Sequence, residues 1–421
     1  MIRIATICAA LLWLPLAFAA PPPPPSEESP GEPGEAESIP LPSGEEAPEV
    51  PEAPGLQWTA SALVQGDGLA ESSLPSDREK TAVLRRARVS GLVDWNLDWR
   101  FKAGADLAQP QPGLRDLSVE YRGFPIYLEA GRIVEPFGVL PGSSRFAGLM
   151  ERPLSTALAP GYGIGVTGNA RGDKWGLTLG VFKSTKNNEQ EGGRSENAVD
   201  LRATWAPVHK DNAVLHFGLE ASYRETSEGV LQFVAIPESV LLIGMDISSS
   251  PLFVGATGND HNRYQLYGAE FAGAFGPVMM QIEGNLAEVH NAIALTATTT
   301  GQMTNATFTG WYLETDWAMT KERRDYSTRR GVFSGIDPST SILNGGLGAL
   351  ELAFRTSFLD LLDDNLGGQH GETFSLGLNW YPEDHTKLML DYLAVHKGDA
   401  SGASENATAI QARMQVFFAV P

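Results

Sequence analysis

Basic side chains spaced two residues apart recur in this sequence and define its most evident chemistry. Arg86 and Arg88 form one such pair, and Arg100 and Lys102 form another shortly after it. Two residues is the side-chain repeat of a β-strand, so each pair projects from one face of a strand. Guanidinium and ammonium groups donate charge-assisted hydrogen bonds to phosphate and carboxylate oxygens. On neighbouring strands, these four side chains would form an anion-binding surface.

The same phasing places further charges of both signs on this polar face. The basic ones are Arg122, Arg355 and Arg413, and the acidic ones are Asp106, Asp116, Glu120, Glu129, Glu283, Glu351 and Asp391. Two interpretations stay open. The basic residues either form a track that attracts anions such as phosphate, or they pair with the carboxylates and brace the wall, which leaves weak selectivity or a preference for cations.

Alternating apolar and polar residues indicate the strands that would carry these side chains. The pattern is clear in WRFKAGADL (99–107), TFSLGLNWY (373–381) and AIQARMQVFF (409–418). A soluble β-sandwich alternates in the same way. Three features favour a transmembrane antiparallel β-barrel: segments of about ten residues or more, aromatic residues at segment ends, and connections that alternate short and long. The aromatic residues in question are Trp95, Trp99, Trp175, Trp205, Trp311, Trp380, Tyr381 and Tyr392.

The pattern predicts sixteen strands, an even number as in bacterial barrels. They are placed at 56–66, 83–93, 97–107, 113–122, 125–133, 162–170, 173–183, 197–206, 213–224, 262–274, 276–288, 305–319, 346–359, 371–382, 385–396 and 406–418. A barrel of this width leaves an aqueous lumen that its own side chains do not fill. One connection breaks the pattern. Because short and long connections alternate along the chain, the connection 320–345 should be a short turn, and yet it is long. Its basic cluster from Lys321 to Arg330 is predicted to be a solvated turn.

The connection at 134–161 is predicted to enter the lumen. It is rich in proline and glycine and carries the charged residues Glu135, Arg145, Glu151 and Arg152. Irregular backbone is tolerated at membrane depth only where it lines a cavity. The segment is therefore interpreted as a constriction loop. Its two glutamates are expected to form salt bridges with Arg145 and Arg152.

The amino-terminal segments predict export. Residues 1–19 have a basic start at Arg3, an apolar core and an Ala17-Phe18-Ala19 cleavage site, as in a signal peptide. Residues 20–55 are rich in proline and glutamate and lack basic residues, which predicts a disordered acidic tether. Residues 56–421 form the barrel domain. The single cysteine, Cys8, lies in the signal peptide, so no disulfide is expected. The net charge is 31 − 51 = −20, and it is still 30 − 42 = −12 without Arg3 and the nine glutamates of the tether, which argues against nucleic-acid partners.

Several segments in order resemble the phosphate-selective porin O/P family of bacterial outer-membrane channels. They include LRRARVSGLVDWNLDWRFKAGADLA (84–108), GRIVEPFGVL (131–140), MERPLSTALAPGYGIGV (150–166), GWYLETDWAMTKERRDYSTRRGVF (310–333) and GLNWYPEDHTKLMLDYL (377–393). The resemblance implies an outer-membrane homotrimer of sixteen-stranded channels. In each channel the third loop would fold into the lumen, and small hydrophilic solutes or anions would diffuse through that lumen. One departure is the ending, where Phe418 is followed by Ala419-Val420-Pro421 instead of closing the chain.

An outer-membrane enzyme is the main alternative from another class. His216, Glu220 and Ser222 share one strand face, but His216 and Ser222 are about 20 Å apart at roughly 3.3 Å per residue, too far for general-base activation. No cofactor or metal is predicted, because DLLDDN (360–365) lacks the glycine and glutamate of a calcium loop. A tether that anchors the protein to the cell wall would add to a pore and not replace it.

Overall fold

A computed structural model describes residues 55–96, 98–108, 113–139, 144–184, 195–226, 230–254, 262–294 and 304–420. The predicted signal peptide and nearly all of the predicted tether lie outside these ranges. Sixteen antiparallel strands close into a barrel, because the first strand pairs with the last. The strands are β1 (Leu56–Ser72), β2 (Ala82–Trp95), β3 (Trp99–Asp106), β4 (Gly113–Tyr121), β5 (Ile126–Val134), β6 (Tyr162–Arg171), β7 (Trp175–Ser184), β8 (Ser195–Lys210), β9 (Ala213–Thr226), β10 (Asn262–Phe275), β11 (Val278–Ala294), β12 (Thr304–Ala318), β13 (Ala349–Asp360), β14 (Gln369–Glu383), β15 (Thr386–Asp399) and β16 (Ser404–Val420).

The order of the strands is that of an up-and-down barrel, in which each strand pairs with its neighbours in sequence. The predicted fold class and strand number are confirmed. Short pairs at Val230–Leu231 and Leu252–Val254 extend the sheet between β9 and β11. Among the described residues, the helical segments are short 3-10 turns, and none has the length or the apolar character needed to cross a bilayer.

The distribution of polar and apolar residues is the reverse of that in a soluble domain. On β9, Leu219 is 67% exposed on the outer face, whereas Glu220 beside it is 5% exposed and faces inward. Large apolar side chains cover the outside of the other strands in the same way, as at Leu117 and Leu179. An apolar exterior and a polar interior are what lipid requires of a barrel wall. The apolar residues of the period-two pattern therefore face the membrane lipid and do not form a buried protein core.

Tryptophan residues concentrate near the short-turn end of the barrel. Trp95, Trp99, Trp175 and Trp205 all lie on the exposed outer face close to short turns, as expected for an interfacial girdle. The prediction that Tyr381 belongs to this girdle is wrong. Alternation after the inward Asn379 and the outward Trp380 points the Tyr381 side chain inward, where it is buried and its hydroxyl donates to Glu351 over 2.6 Å.

The connection between β5 and β6 lies inside the barrel, as its composition predicts. It contains 3-10 turns at Ser144–Phe146 and Leu154–Leu158. Leu154 and Leu158 join an apolar cluster that includes Phe233 and Phe308. Phe233 belongs to the connection between β9 and β10, which folds inward as well. Part of the lumen is thus filled by packed loop residues, and the remaining space lies against the opposite wall.

Candidate functional site

A cavity of about 510 Å³ runs along the inner wall formed by β2 to β8. Its other side is formed by the constriction loop and by residues 329–332. The basic side chains that line it are Arg85, Arg86, Arg88, Arg100, Lys102, Arg115, Arg152, Arg202, Arg329 and Arg330, and the acidic ones are Asp116, Glu120, Glu129, Glu135, Glu151 and Glu283. The cavity wall is therefore net positive, although the chain as a whole is strongly acidic.

Each of the four basic wall residues singled out from sequence lines this cavity and faces a carboxylate. The nitrogen–oxygen distances are 3.5 Å for Arg86–Glu151, 2.9 Å for Arg88–Asp106, 2.7 Å for Arg100–Asp94 and 3.2 Å for Lys102–Asp116. Asp94 and Asp106 lie directly across the β2–β3 pair from Arg100 and Arg88. The wall thus combines both interpretations of the sequence. Its basic side chains are paired with carboxylates, and yet the basic residues that line the cavity outnumber the acidic residues that line it.

Two further arginines, Arg85 and Arg115, line the cavity although strict alternation would place them on the lipid side. Each lies at a β-bulge. Gln65 pairs with Arg86 while Gly66 pairs with Leu84, so Arg85 is the extra residue of β2. In β4 the register skips Arg115 in the same manner. A bulge lets two successive side chains point to one face, which sequence periodicity does not reveal.

Arg115 contributes to a stacked group at the long-loop end of the cavity. It donates to the Tyr162 hydroxyl, and its guanidinium lies 5.5 Å from the centre of the Tyr162 ring. Arg132 lies over the same ring at 5.4 Å. Stacking on an aromatic ring fixes the plane of a guanidinium group. Arg115 extends the basic wall toward the long-loop opening, whereas Arg132 donates to the backbone carbonyl of Leu114 over 2.8 Å.

Glu151 anchors the constriction loop to the wall. Its carboxylate accepts two hydrogen bonds from Arg85, at 2.7 and 3.0 Å, and one from Arg413 at 2.7 Å. Arg86 lies 3.5 Å away. Burial by itself would raise the pKa of Glu151, but the guanidinium groups of Arg86, Arg85 and Arg413 outweigh it and hold the pKa well below 4.5. The anchor therefore stays ionised in mild acid.

We expect the stability contributed by Glu151 to be lost only in strong acid. The folded-state pKa is below the unfolded value, so the contribution is complete above about pH 4.5 and declines as the pH falls toward the folded pKa. This stability can be measured by gel electrophoresis, in which the folded barrel and the heat-unfolded protein migrate differently. The readout is the temperature at which the folded band converts to the slower, unfolded band. The part of that temperature due to Glu151, taken as the difference from Glu151→Gln, should be constant from about pH 8 to pH 5. A decline between those values would contradict the assignment.

Arg355 and Arg413 point inward, as predicted, but lie beneath the folded loops and are fully buried. Arg413 binds Asp67 through two hydrogen bonds of 2.6 and 2.7 Å. Arg355 donates to the backbone carbonyl of Glu151 over 2.7 Å. In this arrangement both side chains hold loops in place. Arg122 follows β4 and donates to Glu120 over 2.6 Å.

The constriction-loop glutamates have partners other than the expected ones. Glu135 accepts a hydrogen bond of 2.7 Å from Arg224 on β9, and Glu151 binds the wall arginines. Arg145 instead lies over the Phe417 ring, with its guanidinium 3.6 Å from the ring centre. Arg152 is exposed and lines the cavity. The loop is thus held by the barrel wall and not by charges within itself.

Comparison with known proteins identifies the group to which this barrel belongs. The family model described as phosphate-selective porin O and P matches residues 70–418, which is most of the barrel. The chain belongs to this family. It is therefore an outer-membrane porin, and the predicted family and location are confirmed.

Two individual relatives are similar to this chain over most of its length. The porin resembles Porin O of Pseudomonas aeruginosa with 26% identity, over 70% of this chain and 72% of the relative. It is 29% identical to an uncharacterised protein of Caulobacter vibrioides, over 74% of this chain and 62% of that protein.

Solved structures share the fold at low identity. The outer-membrane channel DcaP of Acinetobacter baumannii matches with a TM-score of 0.52 and 10% identity, over 86% of this chain and 97% of that one. The trimer form of OmpT, an outer-membrane protein of Vibrio cholerae, matches with a TM-score of 0.50 and 8% identity, over 86% of this chain and 99% of that one.

The long connection between β12 and β13 of the porin enters the barrel from the short-turn end. Arg324 is buried, forms a salt bridge with Glu351, and donates to the backbone carbonyl of Phe146 in the constriction loop over 2.8 Å. Arg329 and Arg330 line the cavity. The prediction of a solvated basic turn is therefore wrong for this part of it. Lys321 and Arg323, in contrast, are exposed.

The residues considered for an enzyme site have other contacts. His216 contacts the Tyr326 hydroxyl through Nδ1 at 2.7 Å and Glu270 through Nε2 at 3.0 Å. The Ser222 hydroxyl accepts a hydrogen bond from Arg224 over 3.2 Å. His216 thus joins the wall to the connection between β12 and β13. The family of this chain is one of channels, which favours a channel over an enzyme.

Proposed function

We propose that this porin conducts small hydrophilic solutes with a preference for anions, phosphate among them. The observation that carries the proposal is the excess of arginine and lysine over carboxylates around the cavity. In a narrow channel with walls of low dielectric, fixed charges act on a permeating ion more strongly than in bulk water. The excess lowers the energy of an anion inside the lumen.

The positions of the basic residues support a continuous path. Arg85, Arg86 and Arg88 lie toward the long-loop end of β2, whereas Arg100 and Lys102 lie toward the short-turn end of β3. Arg329 and Arg330 continue the series on the opposite side of the cavity. An anion that crosses the lumen would pass from one donor group to the next, and guanidinium groups are suited to phosphate oxygens. The description of the family to which this chain belongs names phosphate, which adds support.

A general or cation-preferring pore is the second candidate, and the wall itself favours it at one point. Each of the four wall cations contacts a carboxylate, so part of its charge is compensated locally. Asp94 and Asp106 add negative charge next to the residues that line the cavity. Selectivity therefore depends on the balance between these groups, which a direct measurement determines.

The reversal potential of the purified porin in a planar bilayer under a KCl gradient is the test. We expect a potential of the sign that chloride permeation gives, together with a reduction of the chloride current by millimolar phosphate. A potential of the opposite sign, unaffected by phosphate, would replace the proposal with the cation-preferring pore. An absence of conductance in well-folded protein would contradict the channel itself.

We also propose that the porin is a homotrimer. The family resemblance and the trimer form of the Vibrio cholerae neighbour support this state. Native mass measurement in detergent would give three barrels per particle. A mass of one barrel at all detergent concentrations would contradict the proposal.

A further inference from the structure

The connection between β9 and β10 carries a glutamate in an unusual backbone conformation. Glu238 has a φ of 55°, in the left-handed region that non-glycine residues rarely adopt. Its side chain and backbone are almost completely buried inside the barrel. Such a conformation persists only where the surroundings compensate for it. The contacts of the Glu238 carboxylate show which interactions compensate for this backbone conformation.

The carboxylate lies in a pocket of donors on the inner faces of β13 and β14. Its Oε1 accepts from the hydroxyls of Ser357 and Thr373 at 2.5 and 2.6 Å, and its Oε2 accepts from Ser375 at 2.6 Å. Arg355 Nη1 donates to Oε2 over 3.2 Å. All four donors are buried. The pocket thus matches a carboxylate in charge and in the number of hydrogen bonds it accepts.

The donors belong to the barrel wall, whereas the carboxylate belongs to a loop that reaches the wall from far away in the sequence. Arg355 is also held by Glu314, at 2.7 Å between Nε and Oε2, so its position does not depend on Glu238. The backbone carbonyl of Glu238 accepts a further hydrogen bond of 3.1 Å from Gln411 on β16. The wall pocket is therefore supported independently of the loop that fills it.

We propose that this pocket is a binding site for a small carboxylate, which Glu238 occupies as a ligand supplied by the chain itself. The contact fastens residues 230–254 across the lumen. Ala235 and Ile236, just before Glu238, line the conducting cavity. Occupation of the pocket by Glu238 therefore narrows the channel, and its loss widens it. A tethered ligand has a high effective concentration, which keeps the pocket closed to free carboxylates in the native protein.

The variant Glu238→Ala tests both parts of the proposal. In chloride solution, its single-channel conductance should rise by about twofold, because residues 230–254 are no longer held across the lumen. Added formate or acetate should fill the vacated pocket, with a saturable rise in the temperature at which the folded barrel converts to its slower gel form. Chloride at equal ionic strength should not raise it. The matched control Glu71→Ala, an exposed carboxylate in β1, should change neither property.

A second variant separates binding in the pocket from general salt effects. Glu238→Ala combined with Thr373→Val and Ser375→Ala removes two donors and leaves the Arg355–Glu314 pair intact. Formate should no longer stabilise this protein. Should Glu238→Ala fold poorly, its refolding yield in formate compared with chloride gives the same answer.

Two results would overturn the proposal. One is a conductance of Glu238→Ala equal to that of the wild type. The other is the same stability or refolding yield in formate, acetate and chloride. These readouts do not depend on ion selectivity, so they are independent of the preference for anions proposed above.

Discussion

Replacing Arg100 and Lys102 together by glutamine should lower the permeability of the porin to anions by about fivefold. Both side chains line the cavity near its short-turn end. A unit charge about 8 Å from a permeating ion, at an effective dielectric constant of about 40, contributes about 1 kcal/mol. Screening at about 0.1 M salt roughly halves the effect of two such charges. Because about 1.4 kcal/mol corresponds to tenfold, the remaining 1 kcal/mol or so gives the stated change.

The substitution also removes Arg100 from Asp94, which keeps Arg122 at 3.7 Å, and removes Lys102 from Asp116. Their charge then adds to the loss of the cations, so the reversal potential should move toward the potassium potential. The control Lys174→Gln/Lys210→Gln removes the same charge from exposed positions in a short turn and at the end of β8. If the control shifts the reversal potential as much as the cavity variant does, selectivity arises from overall charge and not from this wall.

The barrel could be predicted from the sequence because lipid imposes a simple rule on every strand. Every second residue of a strand faces lipid and must be apolar. This pattern persists over sixteen strands, whatever fills the lumen. On β13, for example, Glu351, Arg355 and Ser357 all alternate with outward-facing residues. Strand ends were less predictable. Strand β1 continues to Ser72, beyond the predicted limit at residue 66, although its alternation of buried and exposed residues ends near Asp67.

The positions of the site residues were predictable only where alternation is unbroken. Arg86, Arg88, Arg100 and Lys102 follow the period of two, but Arg85 and Arg115 are brought inward by bulges. A bulge depends on backbone pairing between two strands, and no feature of residues 84–87 marks it in the sequence.

The contacts of the loops inside the lumen could not be predicted for a different reason. Glu151 reaches Arg413, which is 262 positions later in the sequence. Neither local composition nor strand period encodes such a pairing. Proline and glycine content predicted that the constriction loop enters the lumen, but the partners of Glu135 and Glu151 depend on where the loop lies along the wall. The inward fold of residues 230–254 carries no comparable signal.

Replacing Glu151 by glutamine should change the porin in two ways that can be measured separately. The permeability to anions should rise by about twofold, because one carboxylate is removed from a cavity in which a unit charge contributes about 1 kcal/mol before screening. The folded barrel should also lose about 3 kcal/mol of stability, because the buried Arg86 and Arg413 lose a counter-charge. Arg413 keeps Asp67 as a partner, which limits the loss. Bilayer recordings and the gel conversion temperature measure the two effects.

The two effects have different origins, and this makes the variant informative about how the loop works. Asp173→Asn, at an exposed position in the turn between β6 and β7, removes an equal charge and should change neither measurement. If Glu151→Gln raises anion selectivity without loss of stability, the carboxylate acts only on the permeating ion, and the loop is held by its backbone contacts with Arg355 and Arg413. If stability falls while selectivity stays constant, the wall arginines are already compensated by other carboxylates, and the excess positive charge does not reach the conducting path. Only the combined result supports a loop whose anchor is also part of the selectivity filter.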